Sequence, residues 1–133
     1  MVFIDSNVWI GWLNENDRHY AKSCEIFDRF KGDLEIKILV TSGIVYETVN
    51  HLFKIGGKNK AEKALELFLI TPNVRILFLS DEFWEKVIQK FRLYNVGLTD
   101  AQIIAAMEEM NDAKIYSFDG HFDQVKWIKR ISS

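Results

Sequence analysis

The chain holds a single cysteine, Cys24, so no disulfide can close within it, and this cysteine usage fits a reducing cytosol. One proline and seven glycines in 133 residues exclude a collagen-like, proline-rich or low-complexity chain. No apolar run approaches the roughly 20 residues needed to span a bilayer. The opening MVFIDS lacks the basic end and cleavage site of a secretory signal, so the expectation is a cytoplasmic protein with no membrane association. Neither sign of charge dominates: 17 Lys and Arg stand against 19 Asp and Glu, a formal net charge of −2. That balance gives no global attraction to a polyanion, so any nucleic-acid contact has to be local and helped by cations. Zinc spacing is missing too, because three histidines and one cysteine form neither an H-E-x-x-H nor a paired-cysteine pattern.

What is present describes a compact globular chain: 48% hydrophobic, 14% aromatic and 27% charged residues. At this length one domain over 1–133 is expected, burying roughly two-thirds of the surface its unfolded form would expose.

Short apolar β-type runs alternate with segments of helical periodicity. Val2 to Ile4 predicts a strand that ends at Asp5-Ser6-Asn7, all good cap types, before a helix from Val8 to Leu13. Helical spacing recurs from His19 to Lys31, with Gly32 as the stop. A strand over Ile36 to Val40 leads through Thr41-Ser42 into a helix that reaches Gly56-Gly57, and a further helix spans Lys60 to Ile70. Val74 to Leu79 reads as a central strand. The next helix, Asp81 to Leu93, is expected to place Phe83, Trp84, Val87, Ile88 and Phe91 on its apolar side. Thr99 is read as the cap of a helix over Ala101 to Met110, whose alanines permit close packing. Lys114 to Phe118 is a strand, a helical turn follows near Phe122 to Val125, and Trp127 to Ile131 closes the chain as a strand. This alternation implies an α/β fold with three layers, a central mostly parallel sheet flanked by helices.

Four carboxylates fall where such a fold can gather them. Asp5 and Asp119 follow apolar strands, and open α/β sheets bind ligands outside the carboxyl ends of their strands. Asp100 lies in the first turn of one helix and Glu47 a turn and a half into another, within reach of the same crevice. Asp123, one turn after Asp119, could join as a fifth. Singly, these aspartates read as helix caps and Glu47 as a solvated residue. Together they repel one another unless a hard cation such as Mg²⁺ or Mn²⁺ sits among them, which points to phosphate or phosphodiester chemistry.

The segments FIDSNVWI, TSGIVYETVN, GLTDAQIIAAM and SFDGHFDQV resemble, in order and spacing, those of PIN-domain nucleases, and most closely the VapC-type toxins of toxin–antitoxin modules. The resemblance covers nearly the whole chain. It implies that Asp5, Glu47, Asp100 and Asp119 are the acidic quartet that binds Mg²⁺ or Mn²⁺, supported by hydrogen bonds from Asn7 and Ser117. It also implies a metal-dependent endoribonuclease that leaves a 5′-phosphate and a 3′-hydroxyl on its RNA substrate, a VapB-like antitoxin as partner, and a homodimer. Ser6 stands where many relatives have Thr, and both carry a hydroxyl. Alternatives within reach of the same residues are a PIN nuclease of RNA processing without an antitoxin, a non-catalytic scaffold binding RNA or protein, and a phosphatase with Asp5 as nucleophile. The usual second aspartate of that last class is replaced by Asn7.

Outside the quartet, Lys54, Lys58, Lys60 and Lys63 form a local basic stretch that could contact an RNA backbone. Gly56-Gly57-Lys58 lacks the rest of a phosphate-loop pattern and reads as a turn. Trp9, Trp12, Phe27 and Phe30 offer more aromatic surface than a small core readily absorbs; core packing is the default for most of them, and an exposed apolar patch there would suit a partner's helix. A lone helical histidine is ordinarily structural or solvated, the expectation for His51, one turn after Glu47, and more so for His19 and His121.

Overall fold

The computed structural model describes residues 1–133 as five strands and five α-helices, with one 3₁₀ turn. In chain order these are β1 (Val2–Ile4), α1 (Ser6–Leu13), α2 (Tyr20–Asp28), β2 (Ile38–Thr41), α3 (Ser42–Ile70), β3 (Val74–Leu77), α4 (Asp81–Leu93), α5 (Leu98–Glu109), β4 (Lys114–Tyr116), the 3₁₀ turn Gly120–Gln124 and β5 (Lys129–Ile131). All four strand pairings are parallel and the sheet order is β3-β2-β1-β4-β5. Parallel strands need crossovers, and here these are α-helices except between β4 and β5, which the 3₁₀ turn joins, so the sheet is covered as an α/β layering requires. No helix is long and apolar enough to cross a membrane.

This order makes β1 the centre and β3 an edge, which corrects the expectation that Val74 to Leu79 is a central strand. The burial pattern agrees: β2 is buried throughout, whereas β3 exposes Arg75 and ends before Phe78, which is 74% exposed. The apolar run after β3 is a surface, not a core.

From β1 the chain steps outward to β2 and β3, then returns across the sheet to β4 and β5. The strand order therefore reverses between β1 and β4, the kind of switch point at which open parallel sheets leave a crevice. Asp5 sits immediately after β1, and Ser117 to Asp119 immediately after β4.

Local chemistry sets the helix ends. Thr41 caps α3 by accepting from the Ile44 amide at 3.2 Å, and Ser80 caps α4 by accepting from Phe83. Asp81 and Glu82 in the first turn of α4, with Lys90 and Arg92 in its last, complement its dipole. α5 is capped by Gly97 with no side-chain bond, so Thr99 lies inside the first turn and is not the cap expected of it. The expected break at Gly56-Gly57 is present as a kink: Gly57 takes φ 82°, ψ −175°, and the two halves of α3 diverge there.

One cluster forms the main core, joining Phe3, Ile4, Val8, Trp9, Leu39, Phe68, Ile103, Ile104, Met107 and Phe122 across sheet and helices. Trp9 is buried against Phe27 and Phe68, each at 4.7 Å, and donates its indole N–H to Ile4 O. Ala101 and Ala105 of α5 pack on Val87 of α4, as small residues at a close helix contact should. Trp84 and Phe91, expected on the packed side of α4, are instead 43% and 45% exposed; Phe83 and Val87 pack inward, and Ile88 is half-buried outside the core clusters.

Candidate metal centre at the carboxyl edge of the sheet

A continuous hydrogen-bonded path runs through the residues gathered at this edge. Asp5 is 3% exposed, and its Oδ1 caps α1 by accepting from the Ser6 amide at 2.7 Å. Its Oδ2 accepts from the Ser117 hydroxyl, also at 2.7 Å. The Ser6 hydroxyl donates to Glu47 Oε2 at 2.9 Å, joining the first helix to the sixth residue of α3. On the other side the Asp119 amide donates to Ser117 Oγ at 3.0 Å, and Asp119 stands beside Asp100, an oxygen of each within 4.8 Å of the other. Glu47, Asp5, Asp119 and Asp100, far apart in sequence, thus stand in one connected group.

Asn7 and Ser117 stand between the start of α1 and the end of β4. The Phe118 amide donates to Asn7 Oδ1 at 3.2 Å, and Asn7 Nδ2 reaches Ser117 Oγ at 3.4 Å. Together they lock the chain after β4 against the start of α1.

The electrostatics are those of carboxylates held closer than they would choose. Burial, reinforced by Glu47 and Asp119, pushes Asp5 up to about 6 from 3.8, although the Ser117 and Ser6 hydrogen bonds pull the other way. Asp100 rises to about 7, chiefly through burial, with the charges of Asp5, Asp119 and Glu47 adding to it. No lysine or arginine pairs with any of the four.

Asp123 stands apart. Both its oxygens accept from Arg130, at 2.9 and 3.0 Å, and that guanidinium holds its carboxyl below the usual range. Arg130 also donates to Ser117 O at 3.2 Å, so the pair buttresses the end of β4 instead of joining the group. The residue that does join is His121. Donor atoms of Asp100, Asp119 and His121 all lie within 4.8 Å of one another, and Asp119 Oδ1 is 2.9 Å from both the amide and the Nδ1 of His121. Asp100, Asp119 and His121, backed by Asp5 and Glu47, are a donor set that fits a divalent cation: hard oxygens, one imidazole and no competing side-chain cation.

Two glutamines hold the geometry, and the sequence reading missed both. Gln102, 6% exposed, accepts from the Gly43 amide at 3.0 Å and donates to Ser42 Oγ at 3.2 Å, tying the helix of Asp100 to the helix of Glu47. Gln124 accepts from the Asn95 amide at 2.8 Å and donates to Asn95 O and His121 O, tying the 3₁₀ turn to the loop before α5. The signal for Gln102 was available: it is the one polar side chain in the otherwise apolar run Ala101 to Met107. His51, Lys54 and Lys58 are exposed on α3 outside the group, and Lys60 is half-buried.

A family model for the PIN domain matches residues 2–128. Among solved structures, the chain is similar to Mycobacterium tuberculosis VapC20, a sarcin–ricin loop cleaving toxin, with a TM-score of 0.84, 17% identity, and 96% of this chain and 97% of that one covered. It is also similar to FitAcB from Neisseria gonorrhoeae, with a TM-score of 0.72, 16% identity and coverage of 99% and 97%. A third likeness is to VapBC2 from Rickettsia felis, solved with a DNA fragment from the pair's promoter, with a TM-score of 0.68, 14% identity and 98% of each chain covered. No curated protein matches the chain in sequence.

Proposed function

The chain belongs to the PIN-domain family, and from that premise we propose that it is a divalent-metal-dependent endoribonuclease, a single PIN domain over 1–133 that acts as the toxin of a VapBC-type pair. The observation that carries this is the gathering of Asp5, Glu47, Asp100 and Asp119 at the sheet's switch point with no lysine or arginine paired among them. A scaffold has no reason to bury and crowd acids whose protons are then held to pH 6 or 7.

Asp5, Glu47, Asp100 and Asp119 would hold Mg²⁺ or Mn²⁺, which would supply activation of water and neutralisation of charge on the phosphate. The protein's share is position. Asp5 cannot turn away, because the Ser6 amide and the Ser117 hydroxyl fix one oxygen each. Glu47, which is exposed, is aimed by Ser6 across the mouth of the crevice. Lys54, Lys58 and Lys60 flank the kink of α3 and offer charge to an RNA backbone.

The relatives solved as toxin–antitoxin complexes support an antitoxin partner. So does a groove of about 360 Å³ lined by Trp9, Trp12, Phe27, Phe30, Leu34 and Leu67, apolar as a docked helix requires. Exposed Trp84 and Phe91, two turns apart on one side of α4, support a homodimer, since large apolar side chains are costly to leave in water.

The test is cleavage of a labelled RNA panel with Mg²⁺, Mn²⁺ or EDTA, beside Asp5→Asn and Asp100→Asn. Metal-dependent cutting that both variants lose is the expected result. Cutting that survives EDTA or either substitution would overturn the proposal.

A further inference from the structure

We propose that His121 is a metal ligand in its own right, making the centre a mixed nitrogen and oxygen site that prefers Mn²⁺, or a similar first-row transition ion, to Mg²⁺. This rests on the metal-binding reading above and adds to it a residue outside the acidic quartet.

Geometry is the first support. Atoms on opposite sides of an ion with bonds of about 2.0–2.2 Å stand about 4–4.4 Å apart. The donor atoms of Asp100, Asp119 and His121 lie within 4.8 Å of one another, so one ion can meet all three with small adjustments. The His121 ring is 63% exposed on its side chain and committed to no partner but Asp119, and is therefore free to adjust.

Its backbone, by contrast, is fixed. The His121 amide donates to Asp119 Oδ1, and its carbonyl accepts from Gln124 Nε2 at 2.8 Å. Gln124 in turn holds Asn95 by two hydrogen bonds, at 2.8 and 3.1 Å, just ahead of the helix that carries Asp100. A side chain presented to an acidic pair by so braced a turn is more than a solvated residue beside it.

Chemistry gives the selectivity. Mg²⁺ favours all-oxygen surroundings and keeps its water, whereas imidazole suits transition ions, whose affinity for nitrogen donors rises along the first row. Removing the ring should therefore weaken Mn²⁺ far more than Mg²⁺.

The experiment is calorimetric titration of the full chain with Mn²⁺ and Mg²⁺ separately, for the unaltered protein, His121→Ala, His121→Gln and Asp100→Asn, with pulsed EPR of the bound Mn²⁺. Expected are a loss of about tenfold or more in Mn²⁺ affinity in both His121 variants, with Mg²⁺ held within about threefold, and nitrogen hyperfine coupling only where His121 is present. Asp100→Asn should weaken both ions. Unchanged Mn²⁺ affinity or absent nitrogen coupling, in a protein that binds both ions and loses them on Asp100→Asn, would overturn the His121 assignment alone. No binding of either ion by the unaltered protein would overturn the metal reading beneath it.

Discussion

Asp5 does three things at once: it ends the central strand, caps α1 and faces the other acids, and these roles pull its proton in different directions. With metal removed, its raised value makes a definite demand on stability. A carboxyl whose folded value lies above its unfolded one binds its proton more tightly in the folded state. Its stabilising contribution is complete below the unfolded value near 3.8 and is lost as pH rises through about 6 for Asp5 and about 7 for Asp100. In EDTA the protein should therefore melt higher at pH 5 than at pH 8. For the wholly buried Asp5, the rise from 3.8 to about 6 corresponds to at most ~3 kcal/mol. Asp5→Asn and Asp100→Asn should each flatten the pH dependence and raise the metal-free Tm at pH 8, and added Mn²⁺ should raise Tm only in proteins that keep the carboxylates. Thermal melts from pH 5 to 8 with and without EDTA check this; a protein more stable at pH 8 in EDTA would refute it. Ser117 offers a second test, because its hydroxyl both donates to Asp5 and accepts from the Asp119 amide. Ser117→Ala should cost about 1–2 kcal/mol of stability and about 10–100-fold in metal affinity, read by urea unfolding and titration.

At the scale of elements, the carboxylates are only as well placed as the helices that carry them, and α3 meets α5 through one contact of unusual tightness. A Cβ on Gly43 would stand 2.3 Å from Gln102 Oε1, so only glycine lets α3 begin where Gln102 can accept its amide. Gly43→Ala should push Gln102 aside, cost about 1–3 kcal/mol and separate Glu47 from Asp100, with a fall in metal affinity larger than the loss of stability alone explains. Equal metal affinity in a destabilised Gly43→Ala protein would show that this contact serves folding only. Such features explain which parts of the molecule were legible in the sequence. Asp81 to Leu93 matched its helix to the residue, because Ser80, Asp81, Lys90 and Arg92 mark both ends. Thr99 misled because it is a strong cap type lying two residues inside a helix that glycine opens. The edge place of β3 was hidden, since an apolar run reads alike whether it lies in the core or on the surface, and Phe78 lies on the surface. Of the site, the acids were legible because charge in an apolar context stands out. His121 was not, since nothing in the spacing shows that Gln124 and Asn95 turn it toward Asp100.

For the whole molecule the proposed function raises the question of how a protein of net charge −2, with an acidic crevice, would hold a polyanion at all. Overall charge cannot draw RNA in, so on the proposed function the attraction would have to come from a cation bound at the crevice and from a local basic surface. Lys54 and Lys58 are exposed either side of the Gly57 kink, with half-buried Lys60 just beyond. Because α3 bends at Gly57, these lysines stand on the same element as Glu47 without crowding the acids. A strand lying along α3 would meet them first and the carboxylates afterwards. Each single-strand phosphate neutralised by a lysine contributes about −0.7 to the slope of log affinity against log salt. In an Asp100→Asn background, which should bind RNA without cutting it, replacing Lys54, Lys58 and Lys60 by alanine should make that slope shallower by up to about 2. Mn²⁺ affinity, measured on the same triple substitution with Asp100 intact, should stay where it was, because none of the three lysines pairs with the acidic group. Fluorescence anisotropy of a labelled single-stranded RNA from 50 to 300 mM salt reads the slope. A slope unaltered by the triple substitution would move the RNA track off α3, and a fall in Mn²⁺ affinity alongside it would mean the lysines act on the site's shape instead of on the nucleic acid.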